Sequence, residues 1–166
     1  MGGSDAPARR RVEENTVRIS DIAVLVVDEN PDHRELTRLA LCECCDPSRV
    51  TTAADGADAL DYLFGRGAHE GRDTRKQPRL AIIDMDLSQI RGLDVLKAIR
   101  AHPATQALPV VMVCTSSEKA ELDSCYAAGA NSVVRKSLDY EELRRKMRRV
   151  YEFWVTVNEA NRNSRV

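Results

Sequence analysis

Aromatic side chains are scarce in this 166-residue chain, at 4% of its residues, although hydrophobic residues reach 43%. A core of one domain's size must therefore be built from Val, Leu, Ile and Ala. Neither sign of charge is in surplus: 25 basic residues face 26 acidic ones, for a formal net charge of -1. That balance gives no electrostatic reason to expect nucleic acid or a membrane as partner. No apolar run is long enough to span a bilayer, and residues 1–20 are too polar for a secretory signal. The sequence thus predicts a cytoplasmic protein. Zinc-site spacing is also missing. The five cysteines (Cys42, Cys44, Cys45, Cys114 and Cys125) are odd in number. Cys42 and Cys45 would share a helix face, but nothing is spaced to complete a metal or redox site. They are expected to be reduced, mostly buried thiols. There is no internal repeat.

What is present is an alternation. Residues 1–20, with Gly2-Gly3, Pro7 and Arg9-Arg10-Arg11, read as a flexible tail. The domain runs over 21–158, and 159–166 form a short polar tail. Apolar runs at Ile22–Val27, Val50–Ala53, Leu80–Ile83, Pro109–Val113 and Ser132–Val134 read as strands. The first and fourth are unbroken, as in strands covered on both faces. Helical periodicity fills the gaps. Asn30-Pro31 is an N-cap followed by proline, with Leu36, Leu39 and Ala40 as the expected buried face. Asp55 opens a second helix, with Ala57, Leu60 and Phe64 on one stripe. Leu93, Leu96 and Ile99 mark a third, and Leu122, Cys125 and Gly129 a fourth. Asp139 and Glu142 form a capping pair for a fifth. Five strands alternating with five helices predict an α/β fold: a doubly wound parallel sheet with helices on both faces and right-handed crossovers. Gly65–Pro78 is the one long loop, expected to be a solvated connection.

The chemistry collects after the strands. Asp28 and Glu29 follow the first, Asp84 and Asp86 the third, Cys114, Thr115 and Ser116 the fourth, and Lys136 the fifth. Open parallel sheets bind ligands beyond the carboxyl ends of their strands. Clustered carboxylates repel and raise one another's pKa unless a cation joins them. Mg²⁺ suits such a set, being content with one or two carboxylates plus waters. The lysine offers a point positive charge to phosphoryl oxygens, and hydroxyls and backbone N–H groups bind the rest. Together these residues predict an aspartyl-phosphate site.

Val27-Asp28-Glu29-Asn30-Pro31, Leu80–Leu87, Gly92, Pro109–Ser116 and Gly129-Ala130-Asn131 leading to Lys136 together resemble the response-regulator receiver family. The resemblance covers about residues 21–158. More narrowly, Tyr62–Gly67 and Phe153-Trp154 are similar to the small single-domain regulators that partner bacterial phytochromes. The resemblance implies a flavodoxin-like receiver fold and Asp84 as phosphoacceptor. It implies Mg²⁺ on Asp28, Glu29, Asp84 and the carbonyl of Asp86. Lys136 is implied as phosphoryl partner, with Cys114 and Thr115 beside it. It implies a phosphorelay protein rather than an enzyme. A sensor histidine kinase, a bacteriophytochrome in the narrower reading, or a histidine phosphotransfer protein would be its partner. Five positions depart from the family pattern. Glu29 stands for an aspartate, Cys114 for Thr or Ser, Val133 for a frequent aromatic, Ser137 for the proline after the lysine, and Ser88 for a common proline after the phosphoacceptor strand.

Two rivals share the topology. One is a pseudo-receiver that binds partners without phosphorylation, favoured by Glu29, Cys114, Val133 and Ser137. The other is a hydrolase using Asp84 as nucleophile and Asp86 as acid/base, disfavoured by the lack of a cap domain. His33, His69 and His102 read as ordinary surface residues. The basic run Arg144–Arg149 reads as the solvated face of the last helix, not a nucleic-acid module. Leu143, Met147, Val150 and Trp154 line the opposite face. With Tyr151 and Phe153 they suggest a homodimer or kinase contact centred on Trp154.

Overall fold

The computed structural model describes residues 21–161; the expected tail at 1–20 and residues 162–166 lie outside the described residues. Five strands, β1 (Val24–Val27), β2 (Val50–Ala53), β3 (Leu80–Asp84), β4 (Val110–Cys114) and β5 (Ser132–Arg135), form one sheet in the order β2-β1-β3-β4-β5. All four pairings are parallel. The helices α1 (Pro31–Cys42), α2 (Gly56–Phe64), α3 (Gly92–Ala101), α4 (Lys119–Ala127) and α5 (Tyr140–Tyr151) alternate with them, and α5 continues into a π-helical stretch, Glu152–Val157. This is the doubly wound parallel α/β arrangement that the alternation predicts, in the flavodoxin-like order that the resemblance implies.

Each strand alternates side chains between two buried layers. Leu25, Val27, Ala81, Ile83 and Met112 pack with Ala59 and Leu63 of α2, Leu96 and Ile99 of α3 and Cys125 of α4. Val24, Val26, Leu80, Ile82 and Val111 pack on the other side with Ala40 and Leu41 of α1 and Leu143 and Met147 of α5. A fully buried Leu or Ile such as Leu25, Leu63, Ile83 or Leu96 stabilises the fold by roughly 1.5–3 kcal/mol.

Local signals set the helix starts. The Asn30 side chain accepts from the amides of Asp32 (3.0 Å) and His33 (3.1 Å), and Asp55 accepts from the Asp58 amide at 2.8 Å. Four expectations are corrected. In α1 the buried stripe is Thr37, Ala40 and Leu41, whereas Leu36 and Leu39 are 39% and 41% exposed. Ala40 and Leu41 share a layer with Leu143 and Met147 of α5, so the packing takes the stripe beside the expected one. In α5 the carboxylate of Glu142 does not close the capping pair; it accepts from Ser137 Oγ at 2.8 Å and pairs with Lys146. Gly129 lies beyond α4, in a left-handed conformation at φ 102°. The Gly65–Pro78 loop is more tied down than a solvated connection. Arg72 donates to the Tyr62 carbonyl at 3.1 Å and lies over that ring, and Gln77 donates to the carbonyls of Leu63 and Thr74.

Candidate phosphoacceptor site

The reversal of strand order falls between β1 and β3, where open α/β sheets bind their ligands. Val27 pairs with Ile83 across these strands, so Asp28 and Asp84 are the next residues of adjacent strand ends. The only buried acids among the described residues are these two, 5% and 4% exposed. β5 supplies the cation. The Lys136 amide donates to the Cys114 carbonyl at 2.8 Å, and its ammonium reaches Asp84 Oδ2 at 2.5 Å and Asp28 Oδ2 at 3.2 Å. The sequence-predicted Asp28, Asp84 and Lys136 therefore converge on one point.

The other expected residues surround that centre without all facing it. The Asp86 amide donates to Asp84 Oδ1 at 2.8 Å, which ties the loop to the carboxylate. Thr115 Oγ1 donates to Asp86 Oδ2 at 3.0 Å. The Cys114 thiol, 3% exposed, donates to the Ser116 carbonyl at 3.3 Å, and burial raises its pKa. Glu29 accepts from the amide (2.6 Å) and hydroxyl (2.9 Å) of Ser88, so the two neighbouring acids take different partners. Gly92 starts α3 directly against this loop. A Cβ there would come within 2.3 Å of the Asp84 carbonyl oxygen and 2.8 Å of Met85 Cα.

Two further residues belong here. The expectation that His33 is a surface residue is wrong. Its Nδ1 lies 2.6 Å from Asp28 Oδ2, and its side chain is 12% exposed. An ionised carboxylate only accepts, so Nδ1 carries the proton; Nε2 is buried without a partner. Arg34 donates to the Asp28 carbonyl at 2.7 Å. The Asn30 cap was the available signal, because it aims the first turn of α1 back at the end of β1.

Electrostatics separates the two aspartates. Burial works to raise the Asp28 carboxyl, but hydrogen bonds from His33, the Asn30 amide and Lys136 outweigh it and hold it below the usual carboxylate range. At Asp84 burial prevails over the pull of Lys136 and leaves the carboxyl raised. Lys136 is opposed by burial, yet the two carboxylates hold it above the usual lysine value. The site thus sets a buried acid with an elevated pKa against a fixed cation.

In donor chemistry Asp28, Asp84 and the Asp86 carbonyl fit a hard divalent cation whose waters complete its shell. Glu29 joins such a set only by leaving Ser88. No cluster of three or more acidic, histidine or cysteine side chains is gathered for a metal among the described residues.

These features define a receiver domain, and comparison with known proteins agrees. The response regulator receiver domain profile matches residues 24–148. The chain belongs to that family, the receiver proteins of two-component signalling. Across 137 residues it is 32% identical to the probable methanogenesis regulatory protein FilR2 of Methanothrix harundinacea, covering 82% of this chain and 86% of FilR2. Its structural relatives include phytochrome response regulators. The phosphorylated cyanobacterial RcpA superposes with TM-score 0.76 at 26% identity, covering 84% of this chain and 98% of RcpA. The bacteriophytochrome response regulator AtBRR superposes with TM-score 0.65 at 32% identity, covering 84% of this chain and 99% of AtBRR.

Proposed function

We propose that Asp84 accepts a phosphoryl group from the phosphohistidine of a sensor kinase, and that the protein signals by altered protein binding. The observation that carries this reading is the contact of buried Asp84 Oδ2 with Lys136 Nζ, with Asp28 on the same ammonium. A carboxylate oxygen of Asp84 attacks phosphorus in line, the P–N bond of the donor breaks, and an acyl phosphate forms. Lys136 holds charge on the phosphoryl oxygens while Thr115 and backbone amides after β4 supply donors. Asp28, Asp84 and the Asp86 carbonyl would hold Mg²⁺, which offsets negative charge on carboxylate and phosphoryl group. Asp84 is an acceptor in a relay, so the protein is not an enzyme of small-molecule turnover.

The likeness to phytochrome regulators supports a bacteriophytochrome-type kinase as donor, and a histidine phosphotransfer protein would use the same chemistry. The relay reading places the protein in the cytoplasm; no described helix is long and apolar enough to cross a membrane. Self-association through the end of α5 fits the exposure there. Phe153 is 50% and Val157 65% exposed, with Trp154 edge-on to Phe153 at 4.9 Å. Tyr151, by contrast, is buried in the protein's own core, and Trp154 packs partly against that core, so Phe153 is the more exposed ring.

The orientations of Glu29 and Cys114 favour the pseudo-receiver as second reading. One experiment separates the two: intact-mass measurement after incubation with acetyl phosphate and Mg²⁺. The wild-type protein gains one phosphoryl group and Asp84→Asn gains none. A wild-type protein that stays unmodified, or a labelled Asp84→Asn, refutes the phosphoacceptor.

A further inference from the structure

The first turn of α1 grips Asp28 from its own side of the site, apart from the lysine that β5 delivers. His33 stands in that turn, its amide capped by Asn30 Oδ1 at 3.1 Å. Its imidazole, 12% exposed, sets Nδ1 2.6 Å from Asp28 Oδ2. The Asn30 amide donates to Oδ1 of the same carboxylate at 2.9 Å, and Arg34 donates to the Asp28 carbonyl at 2.7 Å. Residues 30–34 thus hold both carboxylate oxygens of Asp28 and its main chain.

The twist of a carboxylate about its last bond is a soft torsion, so a donor on each oxygen is what fixes its plane. An ionised carboxylate offers about four lone-pair sites. His33 and Lys136 share Oδ2, and the Asn30 amide takes a site on Oδ1. Among the described residues nothing else donates to this carboxylate, so the site left for a cation is on Oδ1.

Lys136 cannot do this work alone. Its ammonium is 2.5 Å from Asp84 Oδ2 and 3.2 Å from Asp28 Oδ2, so it leans toward Asp84. A phosphoryl group on Asp84 would add charged oxygens that compete for it. The imidazole meets no such competition. Asp28 is the partner of Nδ1, and Nε2 is buried without one. Burial works to raise the Asp28 carboxyl, and among the contacts that outweigh it the hydrogen bond from His33 is the largest.

We propose that His33 is a positioning residue, which holds the Asp28 carboxylate oriented as a Mg²⁺ ligand while Lys136 is engaged at Asp84. The role deepens the phosphoacceptor reading and rests on it.

The test is Mg²⁺ affinity, measured by calorimetry on the full-length, unphosphorylated protein. His33→Phe keeps a ring and removes the donor. His33→Asn and His33→Leu are close in size, and only Asn places an N–H one bond from Cγ, where Nδ1 now stands. Loss of the partner that orients a metal ligand weakens binding by about 10–100-fold, the loss expected for the Phe and Leu variants. The Asn variant should recover most of the affinity, an order that a role in packing alone would not produce. Should the Phe variant fail to fold, the Asn and Leu pair decides. Equal affinity in wild type, Phe and Leu variants overturns the role and leaves the phosphoacceptor reading standing. A loss as large in Asn as in Leu overturns it too, because the donor then does nothing. A wild-type protein that binds no Mg²⁺ overturns the role, and the phosphoacceptor reading with it if acetyl phosphate also leaves Asp84 unlabelled.

Discussion

Replacing Lys136 by Met removes the cation from the two buried carboxylates while keeping most of the unbranched side chain. Lys136 and Asp84 have side chains 12% and 5% exposed, and their charged atoms are 2.5 Å apart. Deleting one partner of so buried a pair costs about 3–5 kcal/mol, because the charge left behind has lost its counterion. That is a large share of the ~5–15 kcal/mol that holds a domain folded. Asp84 can escape part of the cost by taking up a proton. Burial already raises its pKa, against the pull of Lys136, so loss of Lys136 must raise it further. The folded protein then binds more protons than the unfolded chain between the ordinary aspartate value and the raised one. Stability must therefore fall as pH rises across that window and recover below it. Urea unfolding at about pH 7.5 and pH 5 reads this as a midpoint shift at constant slope. The destabilisation by Lys136→Met should be largest at the higher pH. Asp84→Asn in the same background should restore much of the loss, a coupling of more than about 1 kcal/mol. A loss that is independent of pH, or single effects that add within about 0.5 kcal/mol in the double variant, would refute the reasoning.

Cys114→Thr puts a hydroxyl where the buried thiol now donates to the Ser116 carbonyl. A charged hydrogen bond is worth about 1.5–3 kcal/mol, so labelling by acetyl phosphate should quicken, or loss of the phosphoryl group slow, by about tenfold; unchanged rates would show that Thr115 and backbone groups already serve. Gly92→Ala forces a methyl group against the Asp84 carbonyl oxygen. Overpacking of this kind costs about 1–3 kcal/mol and should slow labelling as well, whereas an unchanged melting temperature would contradict the close approach. Phe153→Ala should weaken self-association in sedimentation at little cost in melting temperature, because the ring is half exposed. Tyr151→Ala should cost about 3–5 kcal/mol of stability, as removal of a buried ring does. A wild-type chain that sediments as a monomer would dispose of the interface.

The framework of the fold was legible because strand ends are marked by composition. Unbroken apolar runs stop at Asp28, Asp84 and Cys114, and the Asn30 and Asp55 caps follow local rules. Convergence of Asp28, Asp84 and Lys136 then follows from parallel topology alone, since every carboxyl end of a parallel sheet lies on one edge. Side-chain direction was less legible, because it is decided by residues far away in the chain. Glu29 turns to Ser88, 59 positions on, and Lys136 reaches back 52 positions to Asp84. The rotation of α1 is another such case. Nothing in the spacing of Leu36, Leu39 and Ala40 tells which adjacent stripe the sheet will take, and the choice depends on how α1 meets α5.

His33 shows how the local and distant levels meet at the site. Its place in the first turn of α1 is fixed by the Asn30 cap, a rule of three or four residues. Its partner, Asp28, is fixed by the end of β1. The same carboxylate oxygen also meets Lys136, delivered by β5. Asp28 is therefore held low by groups from two elements, whereas Asp84 meets one cation and is left raised. That asymmetry fits the proposed roles. The well-satisfied Asp28 orients its neighbours. The under-compensated Asp84 has the most to gain from a further positive centre, as the proposed acceptor of a phosphoryl group would.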